Sequence, residues 1–133
     1  MASTVRDFMS QPAIFIDPDA TVAHAATLMR RRNIHSLVVA LEDNRYGIVT
    51  TTDIRDKIVA ADRDPQATSV REIMTTPLAT AQPDWSLQEC SLRMKDLRVH
   101  HLAVTDQSGM IMGMISAIDI FIAVEEAGWG PQM

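Results

Sequence analysis

The sequence predicts an α+β fold made of two β-α-β-β-α repeats, related by a pseudo-twofold axis and forming one compact module. Three observations lead there. First, Val5-Arg6-Asp7-Phe8-Met9-Ser10-Gln11-Pro12 returns as Val70-Arg71-Glu72-Ile73-Met74-Thr75-Thr76-Pro77, an offset of 70 − 5 = 65. Second, that offset also pairs Pro18 with Pro83, Met29 with Met94, His35 with His100 and Leu37 with Leu102, then becomes 66 to pair Gly47 with Gly113, Thr50 with Ser116 and Asp53 with Asp119. Third, the 133 residues are 47% hydrophobic and 22% charged, an ordinary globular balance. A unit of that half-length would be marginal alone, so the repeats are expected to fold together, residues 1–66 giving the first with an N-terminal segment and 67–133 the second with a C-terminal tail.

Within the first repeat, Pro12 and Pro18 bracket the apolar run Ala13-Ile14-Phe15-Ile16, which reads as a buried strand. Asp19 or Thr21 can cap the next helix, whose Val22, Ala25, Ala26 and Met29 fall on one helical face. Arg30-Arg31-Arg32 suits the negative end of its dipole. Two strands, Ser36 to Leu41 and Tyr46 to Thr50, should pair around the polar turn Glu42-Asp43-Asn44-Arg45. A helix from about Thr52 to Ala61 closes the unit, and Asp62 to Thr68 is a charged linker.

The second repeat follows suit. Asp84-Trp85-Ser86 starts a helix, His101 to Val104 and Met110 to Ser116 are strands, and Gly109 eases the turn. The last helix, about Ala117 to Ala127, is expected to stop at Gly128 and Gly130-Pro131. Its Ile118, Ile120, Phe121, Ile122 and Val124 make it apolar on more than one face, where the first copy carries Arg55, Asp56 and Lys57. A helix apolar on several faces should be buried on several, which suggests a homodimer surface.

A net charge of −5 argues against nucleic acid as a partner. Neither a signal peptide nor a membrane-spanning run is expected. The single Cys90 fits a reducing cytoplasm. It lies mid-helix with no cation to activate it, so a packed thiol is expected and no catalytic residue is assigned. His100 and His101 are adjacent on a strand and point to opposite faces, and His24 and His35 lack metal-ligand spacing, so no metal site is expected.

The most specific pattern is Gly47-Ile48-Val49-Thr50-Thr51-Thr52-Asp53-Ile54 against Gly113-Met114-Ile115-Ser116-Ala117-Ile118-Asp119-Ile120. In each, a strand enters a helix through a hydroxyl residue, with an aspartate three positions on. Such a pair caps a helix. The same carboxylate could equally hold the vicinal hydroxyls of a ribose, and the free amides could meet a phosphate.

Met9-Ser10-Gln11-Pro12, the Asp19/Thr21 helix start, Ile34 to Val39 and Gly47 to Asp53 together resemble a CBS motif, and Met74 to Pro77, Val99 to Val104 and Gly113 to Asp119 resemble a second. The resemblance implies a tandem CBS pair, or Bateman module: a regulatory sensor that binds an adenosine-containing ligand (AMP, ADP, ATP or S-adenosylmethionine) in clefts between the repeats, dimerises, and regulates a separate enzyme or transporter. Carried over by motif, one site would unite Ser116 and Asp119 with Ser10, Ile14, His100 and His101. Its twin would unite Thr50 and Asp53 with Thr75, Ala79, His35 and Ser36. The aspartates would hold ribose, the apolar first-strand positions would enclose adenine, and His101 would reach phosphate. Val38 and Ala103 stand where many members carry proline, and Ser36 stands where the second copy has His101, which favours the Asp119 site. The alternative is a dimerisation or docking protein of the same fold without a working nucleotide site.

Overall fold

A computed structural model describes residues 3–127. The expected stop at Gly128, Gly130 and Pro131 lies outside the described residues. The chain divides into two compact units. One runs Ile14–Leu78, and the other joins the N-terminal segment through Ala13 to the chain from Ala79 onward.

In the Ile14–Leu78 unit, β1 (Phe15–Ile16) pairs parallel with β2 (Ser36–Ala40), and β2 pairs antiparallel with β3 (Tyr46–Thr50), giving the order β1-β2-β3. The central strand is buried from Ser36 to Val39, as a run of Leu and Val with a neighbour on each side requires. Helix α2 (Val22–Arg32) starts where the Thr21 hydroxyl accepts the amide of His24 at 3.0 Å, and it buries Val22, Ala25 and Met29. It ends at Asn33, in the left-handed region at φ 54°. The turn to β3 has Asp43 and Asn44 at φ 59° and 57°, residues that tolerate this region through their short polar side chains.

The other unit repeats the plan with α1 (Val5–Phe8) ahead of it. Strand β4 (Thr80–Ala81) is parallel to β5 (His101–Thr105), which is antiparallel to β6 (Ile111–Ser116). Helix α4 (Leu87–Leu97) opens with a reciprocal cap. Ser86 accepts the Glu89 amide at 3.0 Å, and the Glu89 carboxylate accepts the Ser86 amide at 3.2 Å. The ladder shifts register between Val104, opposite Gly113, and Thr105, opposite Ile111. Met112 is the residue skipped, so the single insertion that turns the offset from 65 to 66 is absorbed as a β-bulge. Beyond it, His101 faces Ser116 as Ser36 faces Thr50.

Each unit takes its lead segment from the other repeat. Val5 lies in the buried cluster with Leu87, Leu102 and Ile115, whereas Val70 and Ile73 lie with Val22, Leu37 and Val49. Ser10 forms an antiparallel bridge to Met114, and Thr75 forms one to Ile48. This explains two glycines. A Cβ on Gly113 would sit on the carbonyl oxygen of Ser10, and one on Gly47 would stand 2.9 Å from that of Thr75.

The helix expected from about Thr52 to Ala61 is corrected in kind. It is α-helical only over α3 (Thr51–Ile54) and widens to a π-helix over Arg55–Val59, where the amide of Ala60 reaches back five residues to the Arg55 carbonyl at 2.9 Å. Its counterpart α5 (Ala117–Ala127) remains α-helical. Among the described residues no helix is long and apolar enough to cross a membrane.

Candidate nucleoside site

The strand-to-helix junctions build the site. At the end of β6, the backbone amide and hydroxyl of Ser116 donate to Asp119 Oδ2 at 2.8 and 3.0 Å, while the Asp119 amide donates back to the Ser116 hydroxyl at 3.2 Å. At the end of β3 the same box recurs, Thr50 donating to Asp53 Oδ2 at 2.9 and 3.1 Å and receiving the Asp53 amide at 3.2 Å. The capping role is therefore real, and it occupies one carboxylate oxygen in each copy.

The second oxygen distinguishes them. Asp53 Oδ1 lies 3.1 Å from Lys57 Nζ, which also donates to the Ile73 carbonyl at 2.8 Å. One turn beyond Asp119, the place of Lys57 is taken by Ala123, which is buried. Among the described residues Asp119 Oδ1 accepts no hydrogen bond, although the carboxylate is only partly exposed. Its charge reaches α4: burial first, and the Asp119 carboxylate second, push the Cys90 thiol up to about 11.

Around Asp119 the structure gathers most of the residues that the motif implied. Ser10 is exposed and bridged to Met114, two residues before Ser116, by bonds of 2.8 and 3.0 Å. His101 is the direct partner of Ser116 across the ladder, so their side chains share a face. His100 is exposed, and its carbonyl accepts the Ala117 amide at 2.9 Å, fastening β5 to the helix start. Ile14 belongs to the other unit, where it is partly buried and its carbonyl accepts the Val38 amide at 2.9 Å. The twin set divides alike. Thr50, Asp53, Thr75, His35 and Ser36 fall in the Ile14–Leu78 unit; Ser36 is buried, and the His35 carbonyl accepts the Thr51 amide at 3.1 Å. Ala79 falls in the other unit, its carbonyl accepting the Ala103 amide at 3.0 Å.

Sequence reasoning missed two features. Lys57 carries a signal in the sequence, its i, i+4 spacing from Asp53. The other is a cavity of about 390 Å³ in the Asp119 unit, bounded by Met94, Lys95, Arg98 and His100 on one side and by Ala117 and Ile120 on the other. Among the described residues no group of three or more His, Cys, Asp or Glu side chains could hold a metal ion.

The CBS domain family profile matches residues 5–60 and 70–126. The chain is a tandem CBS-domain protein. The CBS domain-containing protein YhcV of Bacillus subtilis (strain 168) is 30% identical over 120 residues, spanning 90% of this chain and 84% of that one. A hexameric CBS-CP12 protein from bloom-forming cyanobacteria superposes with a TM-score of 0.87 at 31% identity, covering 100% of this chain and 78% of that chain. A CBS domain pair solved in complex with 5-methylthioadenosine and S-adenosyl-L-methionine gives a TM-score of 0.81 at 25% identity, covering 94% and 98%. Each of the two profile matches ends shortly after a hydroxyl–aspartate box.

Proposed function

We propose that this CBS pair is a regulatory sensor, not a catalyst, that binds an adenosine-containing ligand and passes its occupancy to a separate protein in the cytoplasm. One observation carries the reading: Asp119 is held in place through Oδ2 while Oδ1 accepts no hydrogen bond among the described residues, the state a carboxylate needs to accept the vicinal hydroxyls of a ribose. The Ser116 hydroxyl, Ser10 and the His100-His101 pair supply polar groups around it. The structural neighbour bound to 5-methylthioadenosine and S-adenosyl-L-methionine supports the ligand class. Asp53, satisfied by Lys57, is the weaker of the two sites. Ligand binding regulates only in so far as it favours one arrangement of the protein over another.

Titration calorimetry with adenosine, AMP, ATP and S-adenosylmethionine tests this. Saturable binding by at least one is expected, reduced about tenfold or more by Asp119→Ala, in line with loss of a charge-assisted hydrogen bond, and little changed by Asp53→Ala. Absence of heat from the whole series, on folded protein, refutes it.

A second reading, a docking or dimerisation protein, is favoured by α5, whose Ile118 and Phe121 are 54% and 68% exposed. Capture of a regulated enzyme or transporter by a protein that shows no thermal shift with nucleotides would select it.

A further inference from the structure

The lysine that takes the second oxygen of Asp53 deepens the nucleoside reading. An ion pair at i, i+4 on a helix is common and contributes little when both partners face water. Two observations set this one apart. The Asp53 side chain is 12% exposed, whereas the carboxylates of the other ion pairs among the described residues are 46% exposed or more. Lys57 Nζ, 3.1 Å from Asp53 Oδ1, also donates at 2.8 Å to the carbonyl of Ile73, a buried residue in the lead segment of the next repeat. Turning the ammonium out to water gives up both bonds, so the lysine is anchored at two points.

Its position is the one a ligand needs. Asp53 Oδ2 is spent on the amide and hydroxyl of Thr50 at 2.9 and 3.1 Å, which leaves Oδ1 to receive a ribose hydroxyl. That hydroxyl is neutral, while the ammonium is charged and tethered one helical turn away, and in a sheltered setting the charged donor holds a carboxylate more strongly. The other polar groups of the unit stay in place. Thr75 is bridged to Ile48 by bonds of 3.0 and 2.9 Å, as Ser10 is to Met114.

At the carboxylate, the two units therefore differ by one side chain, Lys57 here and the buried Ala123 after Asp119. Lys57 also sits where the helix widens over Arg55–Val59, a distortion that α5 lacks and of a kind that recurs at functional positions.

We infer that Lys57 is a built-in competitor for the Asp53 carboxylate. It holds the first repeat's site closed, so that the chain takes one nucleoside, at Asp119, and loss of the lysine's charge opens a second place. This rests on the ribose assignment above.

Adenosine is the probe, because it carries the ribose without a phosphate charge. Equilibrium dialysis and calorimetry count its sites on wild type and on Lys57→Met, Lys57→Gln and Lys57→Arg. Methionine keeps an apolar stem, glutamine keeps an N–H for the Ile73 carbonyl, and arginine keeps the charge. Thermal unfolding checks that each is folded. Wild type and Lys57→Arg are expected to bind one adenosine per chain, with any second about tenfold weaker or more. The two neutral variants should bind two, with affinities within about tenfold of each other. Adding Asp53→Asn to either should return the number to one, which loss of a merely structural contact does not explain. One site in both neutral variants, or two matched sites in wild type, overturns the inference and leaves the Asp119 reading intact. Binding by the neutral variants alone keeps the role of Lys57 and overturns the Asp119 assignment. If adenosine binds none of the four, the inference falls, and the ribose reading is decided by the full ligand series above.

Discussion

Replacing Gly113 by alanine should release the N-terminal segment from the unit that carries Asp119. The added Cβ would coincide with the Ser10 carbonyl oxygen and stand 3.1 Å from Gln11 Cγ and 3.2 Å from the Ser10 carbonyl carbon. The first obstacle is backbone and cannot rotate away. Ser10 must move, breaking the paired bonds to Met114 at 2.8 and 3.0 Å; each contributes about 1 kcal/mol net. The segment also carries Val5, wholly buried, whose exposure costs about 1.5–3 kcal/mol. Together the loss is about 3–5 kcal/mol. At about 4 °C per kcal/mol for a chain of this size, the melting temperature should fall by roughly 10–20 °C. Gly47→Ala is the internal control. Its nearest atoms are the Thr76 methyl at 2.8 Å, the Thr75 carbonyl oxygen at 2.9 Å and the Met74 sulfur at 3.2 Å, two of them on side chains that can yield. A smaller loss, about 1–3 kcal/mol, is expected. Urea and thermal unfolding measure both. A Gly113→Ala protein within about 0.5 kcal/mol of wild type, or one more stable than Gly47→Ala, refutes the account of the lead segment.

Two further outcomes follow from the same unit. Because burial and then Asp119 push the Cys90 thiol from 9.0 to about 11, the folded state resists ionisation that the unfolded chain accepts; stability should be intact below 9.0 and fall as pH rises towards about 11. Urea unfolding of wild type and Cys90→Ala across that range should show their difference changing only above 9.0, and a constant difference would count against it; alanine is a fair substitute because Ala25 fills the corresponding buried place. The exposed α5 face should join two copies, so that Phe121→Glu, losing about 1.5–3 kcal/mol on each side of a symmetric interface, weakens the dimer about a hundredfold or more. Sedimentation of both proteins decides the matter, and a monomeric wild type or an unchanged dimer rejects the surface.

Periodicity made most of the fold legible. The apolar spacing of Val22, Ala25 and Met29, the capping residues Thr21 and Ser86, and the strand runs around the turns all reappear in the structure. The step from 65 to 66 in the repeat offset is legible as one insertion, but the pattern alone does not say where it goes; the ladder places it at Met112. The exchange of lead segments was legible only through the family resemblance, which set Ser10 beside Ser116 and Asp119 and Thr75 beside Thr50 and Asp53. Val5 and Val70 begin similar octets, and each repeat presents similar apolar partners, so hydrophobic pattern alone does not choose one pairing over the other. In the structure Val70 lies with the repeat it follows and Val5 with the repeat beginning after the linker.

The hydroxyl–aspartate boxes were legible in the sequence, and their balance of charge was not. Two matching hydroxyl–aspartate boxes suggest two matching sites, and Ser36 in the place that His101 holds in the second copy suggests a difference at the phosphate end. The structure adds a difference at the aspartates themselves. A lysine one turn after Asp53 neutralises it and ties it to the Ile73 carbonyl, in the stretch where the helix widens to a π-turn. One turn after Asp119 there is a buried alanine, and Lys95 and Arg98 lie instead at the end of α4 and its cap, beside a cavity. Duplicated boxes preserved by helix capping are free to diverge in function, because the cap requires only Oδ2. The residue four places on decides whether the second carboxylate oxygen of each box is paired: a lysine after Asp53, a buried alanine after Asp119.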